Sequence, residues 1–123
     1  MSLNGRTTIE AESTALLAAH ALIEKKADEV LVFDMRGRSD ITDFVLIASG
    51  SSPPHLKALS EDLQMRLKQD GVRHYRISGE PDSGWMVLDY VDVVIHVFDP
   101  PTRGYYALEA LWHEVPRLAL PET

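Results

Sequence analysis

Cysteine is absent from this 123-residue chain. Its absence excludes disulfides, thiolate zinc sites and cysteine nucleophiles, and it fits a reducing compartment. Long apolar runs are absent too. None approaches the roughly 18 residues that a membrane span needs, and Met1 to Arg6 carries no apolar segment of the secretory type. The expected location is therefore cytoplasmic, with no membrane partner. Basic charge is scarce: twelve Lys and Arg stand against nineteen Asp and Glu, for a net charge of −7. The basic residues are also dispersed, whereas nucleic-acid binding draws most of its affinity from clustered cations on phosphates. Direct nucleic-acid readout is not expected. An acidic chain suits a basic protein partner instead, because opposite fields speed encounter.

Catalytic constellations are missing as well. The Gly50-Ser51-Ser52 turn ahead of a helix has the composition of a phosphate cradle. Nucleotidyl transfer on such a turn also needs two carboxylates, one residue apart on a strand, to hold two metal ions. Glu61 and Asp62 are adjacent within a helix, and Asp89 and Asp92 are three apart, on opposite sides of a strand. Asp40 and Asp43 have no basic phosphate clamp beside them. Neither a Walker loop nor a dinucleotide glycine fingerprint is present. The histidines His20, His55, His74, His96 and His113 contain no i,i+4 metal clasp. His96, inside an apolar strand, reads as a buried neutral histidine. No cofactor, metal or enzymatic activity is expected. A nucleotide-binding or nucleotidyl-transfer enzyme is the alternative reading, kept by the Gly50–Ser51 turn alone.

What is present reads as one domain over residues 1–123, ordered from about 7 to 116, with a loose N-terminus and a loose tail after Arg117. Thr7 and Glu10 form a capping box that opens a helix to about Lys26, with Ile9, Leu16, His20 and Ile23 on one stripe that Leu17 and Leu22 widen. Strands are predicted at Glu29–Asp34 and Asp43–Ala48. Ser52 caps a helix that starts at Pro53 and ends near Gly71, with Leu56, Leu59, Leu63 and Leu67 on its core face. Strands follow at Val72–Ile77, Trp85–Tyr90 and Val93–Phe98, with a loop over residues 78–84. Asp99 caps a last helix with Leu108, Leu111, Trp112 and Val115 inward, and Tyr105 and Tyr106 are read as core. The order predicts an α/β fold: a mixed sheet of about five strands with helices packed on it.

The segment from Trp85 to Phe98 is the most strand-like run and the best candidate surface. On a strand, Trp85, Val87 and Asp89 share one face, while Met86, Leu88 and Tyr90 share the other. Met86 and Leu88 make an ordinary core pair. A tryptophan and a carboxylate beside an aliphatic residue have the make-up of a binding hot spot. Core and interface both remain open for Trp85 on these residues alone.

These residues also carry a family resemblance. It runs from Glu29 through Asp40-Ile-Thr-Asp43-Phe44, Ala48-Ser-Gly-Ser-Ser52, Lys57-Ala-Leu59, Gly79-Glu80 and Ser83-Gly-Trp85. It continues through Leu88-Asp89-Tyr90 and Asp92-Val-Val-Ile-His96-Val-Phe98 to Arg103, Tyr105-Tyr106, Leu108-Glu109 and Leu111-Trp112. In this the chain resembles the bacterial ribosomal silencing factor, or Iojap-like, family. The resemblance implies a nucleotidyltransferase-like fold without the catalytic carboxylates. It implies binding to the large ribosomal subunit through its protein numbered fourteen, which would block joining of the small subunit and repress translation when nutrients are scarce. Trp85, Val87 and Asp89 would then form the partner contact, with Leu88, Tyr90 and Phe98 as further members. A homodimer would use the same strand. Asp92 and His96 are read as structural, bonded to each other. Where the family usually has glycine before the second aspartate, this chain has Val91. Valine resists a positive φ, so either the turn differs or glycine was not required.

Overall fold

The computed structural model describes residues 8–73 and 76–120, with the side chains of Thr8 and Ile9 outside the description. Helix α1 (Thr8–Glu24) is followed by strands β1 (Asp28–Asp34) and β2 (Phe44–Ser49), and then by helix α2 (Pro53–Gln69). Strand β3 (Arg76–Glu80), a single 3-10 turn (Pro81–Ser83), β4 (Trp85–Asp89) and β5 (Val93–Phe98) come next. Two short helices, α3 (Pro100–Tyr106) and α4 (Leu108–Leu111), complete the order. No described helix is long and apolar enough to cross a membrane.

The strands form one mixed sheet in the order β1-β2-β5-β4-β3. Only β2 and β5 run parallel; the other neighbours are antiparallel. This matches the expected five-stranded mixed sheet with packed helices. Phe44, Leu46 and Ala48 of β2, Val93, Ile95 and Val97 of β5, and Met86 and Leu88 of β4 join α1 and α2 in the main core. Strand alternation sends their neighbours to the other face. There Phe33, Met35, Val45, Ile47 and Phe98 are buried beneath Leu108, Trp112 and Val115 of the C-terminal segment. The helical face of the central strands is covered by α1 and α2, and the opposite face is covered over one half only.

Helix α2 follows the predicted register. Ser52 Oγ accepts the His55 N–H, Pro53 opens the first turn, and Leu56, Leu59, Leu63 and Leu67 are buried. Helix α1 does not. Its buried face is Ala11, Thr14, Ala15, Ala18, Ala19, Ala21 and Leu22, whereas His20 is exposed. Of the bulky residues read as the stripe and its flanks, Leu22 is fully buried and Leu16, Leu17 and Ile23 only partly; the small side chains let the helix lie close to the sheet. Thr7 of the expected capping box and the Ile9 side chain lie outside the described residues.

β3 starts later than predicted. Val72 is spent closing α2: its N–H donates to Leu67 O at 2.8 Å after Gly71 turns at φ +79°. Ser78, Gly79 and Glu80, expected in a loop, instead pair with Val87, Met86 and Trp85. The last helix is broken at Ala107, whose φ is +47°. In consequence Leu111 is 71% exposed, Tyr105 83% and Tyr106 49% exposed, contrary to their predicted burial. Residues 116–120 lie against the sheet, and the rest of the tail is outside the described residues. Pro116 O accepts from Asp34 N–H and Leu118 N–H donates to Val32 O, while Leu118 and Leu120 pack against the main core.

Candidate protein-binding face

The uncovered half of the second sheet face is built by β4 and β5. Cross-strand register places Trp85 opposite Phe98, Val87 opposite His96, and Asp89 opposite Val94. Trp85, Val87 and Asp89 are all half-buried and share this face, as the alternation predicted. Val94 and His96 are half-buried beside them.

Trp85 anchors the patch. Its ring stacks on Phe98 at a centroid distance of 5.0 Å and tilts against Tyr106 at 4.6 Å. Its Nε1–H donates to His96 Nδ1 at 3.1 Å. A rigid aromatic, one edge packed and one edge accessible, presents apolar area at low entropic cost. Burial pushes the His96 pKa down to about 4, so the ring is neutral at pH 7 and its Nδ1 lone pair is available to the indole. The expected Asp92–His96 bond is not formed. The two residues lie four apart, the far one inside β5, and four strand residues span about 13 Å. Instead the Asp92 carbonyl accepts from Asp43 and Phe44 N–H at 2.9 and 3.0 Å, joining the β4–β5 turn to β2.

Three expected contact residues are corrected. Leu88 and Tyr90 are 0% and 1% exposed and belong to the main core, where burial raises the Tyr90 pKa to about 12. Phe98 is on the open face by alternation but is 0% exposed, because Trp85 lies on it. These three support the surface from beneath. Val94 and His96 of β5 lie on this face beside Val87 and Trp85, and Tyr106, read from the sequence as core, packs against Trp85 at its margin.

The turn that joins the two strands is held by Asp89. Its Oδ1 accepts the Val91 N–H at 2.8 Å, and Val91 adopts φ +72°. The tight turn therefore does require a left-handed residue, and valine fills it against its own preference. Asp89 thus has a structural task besides presenting charge.

The face is positioned from one end by α3. Asp99 Oδ1 accepts the Thr102 N–H at 2.8 Å, capping the helix as predicted. Arg103 is buried and ties the helix to the sheet. Its Nε donates to Glu109 Oε2 at 2.8 Å and its Nη1 donates to Ser49 Oγ at 2.9 Å. At the Gly50–Ser51 turn, two of the backbone donors a phosphate would use are engaged, Gly50 N–H by Phe98 O at 2.8 Å and Ser51 N–H by His55 Nδ1 at 2.9 Å. Pro53 and Pro54 have no N–H to offer.

With this geometry established, the comparisons with known proteins are decisive. The family described as "Ribosomal silencing factor during starvation" matches residues 8–123. The chain belongs to the ribosomal silencing factor family. It is 38% identical to ribosomal silencing factor RsfS of Halalkalibacterium halodurans over 85% of this chain and 89% of that one. It is 32% identical to the Mus musculus protein named "Mitochondrial assembly of ribosomal large subunit protein 1", over 74% of this chain and 41% of that one. Among solved structures, a Chromobacterium violaceum protein superposes with a TM-score of 0.80 at 29% identity, over 92% of this silencing-factor chain and 93% of its own.

Proposed function

We propose that this protein acts by occupancy rather than catalysis: it binds the large ribosomal subunit through its protein numbered fourteen and sterically blocks joining of the small subunit, lowering translation when nutrients are limiting. The observation that carries this reading is the uncovered half of the sheet, where Trp85, Val87 and Val94 offer apolar area and Asp89 offers charge. Family membership and the name of the mouse relative support a ribosomal partner. The net charge of −7 favours a basic surface such as ribosomal proteins present. A second copy that buried Trp85 and Val87 would compete for the same face.

Co-sedimentation with separated ribosomal subunits tests the reading, using wild type, Trp85→Ala and Val87→Glu. Wild type should pellet with the large subunit alone, and both variants should remain in the supernatant. Trp85→Ala also uncovers Phe98, so Val87→Glu, which leaves that stack in place, is the deciding variant. Failure of wild type to pellet with the large subunit would remove the ribosomal reading. Retained binding by Val87→Glu would move the contact elsewhere on the chain.

A further inference from the structure

A second recessed surface lies on the helical side of the sheet, between α2 and the Pro81–Ser83 turn, with an accessible volume of about 720 Å³. Met86 of β4 forms part of its wall, and Pro53, Pro54 and Pro81 supply rigid apolar rings around it. Met86 and Val87 are successive residues of one strand and point to opposite faces. The recess is therefore separate from the β4–β5 face. Its volume falls in the range of recognised binding clefts.

The rim is charged with one dominant sign. Glu61 and Asp82 line it against Lys57, and Glu80 borders it with its carboxylate engaged by the Ser83 N–H in the capping box of the turn. Among the described residues none of the four takes part in an ion pair. All four are exposed at the surface. Gln64 adds an acceptor: its amide nitrogen is committed to Ser60 Oγ at 3.0 Å, which leaves the carbonyl oxygen for an incoming donor. An apolar trough with an acidic rim matches a segment that alternates cationic and apolar side chains. Lys and Arg stems lie well on apolar surface while their heads stay in water, and a methionine adapts its shape to what packs on it. β3, which supplies Glu80, is the last strand of the sheet, and among the described residues no strand pairs with its outer side. An occupant can therefore run in from that edge in extended form.

We propose that this groove is a docking site for an extended basic peptide segment of a partner protein, on the side of the sheet opposite the Trp85–Val87 face. The site does not depend on the ribosomal reading, and both faces can be occupied at once. The test is fluorescence polarisation with a labelled octapeptide of alternating arginine and leucine, followed by amide chemical-shift mapping. Wild type should bind it in a salt-dependent way, with shifts at Lys57, Gln64 and Asp82. Glu61→Gln with Asp82→Asn should weaken binding at least about tenfold, since two rim charges are removed. Val87→Glu should bind like wild type, and a thermal melt of the double variant should match wild type. Several results would overturn the proposal: no binding, equal binding by the double variant, equal binding of a glutamate–leucine peptide, shifts confined to the β4–β5 face, or pairing of two copies through this groove.

Discussion

The Trp85 indole donates to Nδ1 of His96 across 3.1 Å, which holds the histidine in the tautomer that carries its proton on Nε2. Protonating Nδ1 would set a donor against a donor. The low pKa of His96 has its own cause, burial that disfavours the charged ring, and it leaves Nδ1 free to accept from the indole at pH 7.

This gives the chain a defined acid response. Folded His96 titrates at about 4 and an unfolded histidine near 6.5. Between these values the unfolded chain holds a proton that the folded chain lacks. The contribution is therefore complete above about pH 6.5 and is lost as the pH falls toward 4, by on the order of 3 kcal/mol. Urea unfolding of wild type and His96→Gln across that interval isolates the effect from the carboxylates. Wild type should lose stability relative to the variant as the pH drops. Parallel curves would mean that His96 does not sense acid.

Val91→Gly should stabilise the protein. Val91 sits at φ +72°, a region that a β-branched residue occupies at a cost on the order of 1–3 kcal/mol. Glycine removes the strain and returns some of it as unfolded-chain entropy. The expected net gain is about 1 kcal/mol, read as a higher urea midpoint with an unchanged slope. A lower midpoint would show that valine packing outweighs the strain.

Gly84→Ala should do the reverse. Gly84 has φ +79°, and an added methyl would collide with the Asp99 carboxylate that caps α3 and with the Thr102 hydroxyl. A loss of about 2–3 kcal/mol is expected from backbone strain plus a disturbed cap. Because α3 carries Tyr106 onto Trp85, tryptophan fluorescence should change as well. Unaltered stability would indicate that α3 shifts freely.

Arg103→Lys should also be costly. The buried guanidinium serves Glu109 and Ser49 together through a planar fork, and an ammonium cannot match both directions. Calorimetry should show a loss of about 1–3 kcal/mol, the range for a buried polar group left unsatisfied. A melting temperature equal to wild type would mean that water replaces the fork.

Much of the fold could be read from residues whose local chemistry and tertiary role agree. Ser52, Pro53 and the four leucines of α2 are of this kind, as are Asp99 and the alternation along β4. The misreadings share a cause: tertiary packing overrode a local cue. Alanine carries little hydropathic contrast, so the buried stripe of α1 could not compete with Leu16 and Ile23. Gly79 reads as a loop residue, yet β3 needs it because a Cβ there would strike the Trp85 carbonyl. At the site, the shared side of Trp85, Val87 and Asp89 could be read from alternation, but whether that side is open or covered could not. Nor could the role of His96, because its partnership with Trp85 is diagonal across two strands and depends on the register of a turn held by Val91. Phe98 was misassigned for the related reason that alternation gives a side, and burial depends on what lies above it.

The two edges of the sheet are unlike. β3 ends it at one side with no described strand beyond, whereas β1 at the other is lined by residues 116–118, hydrogen-bonded to Asp34 and Val32. An uncovered strand is a template for another chain, and two of them on one molecule permit head-to-tail growth. The C-terminal segment therefore covers the Val32–Asp34 end of one edge, so that among the described residues the two edges do not offer equivalent templates to a second copy.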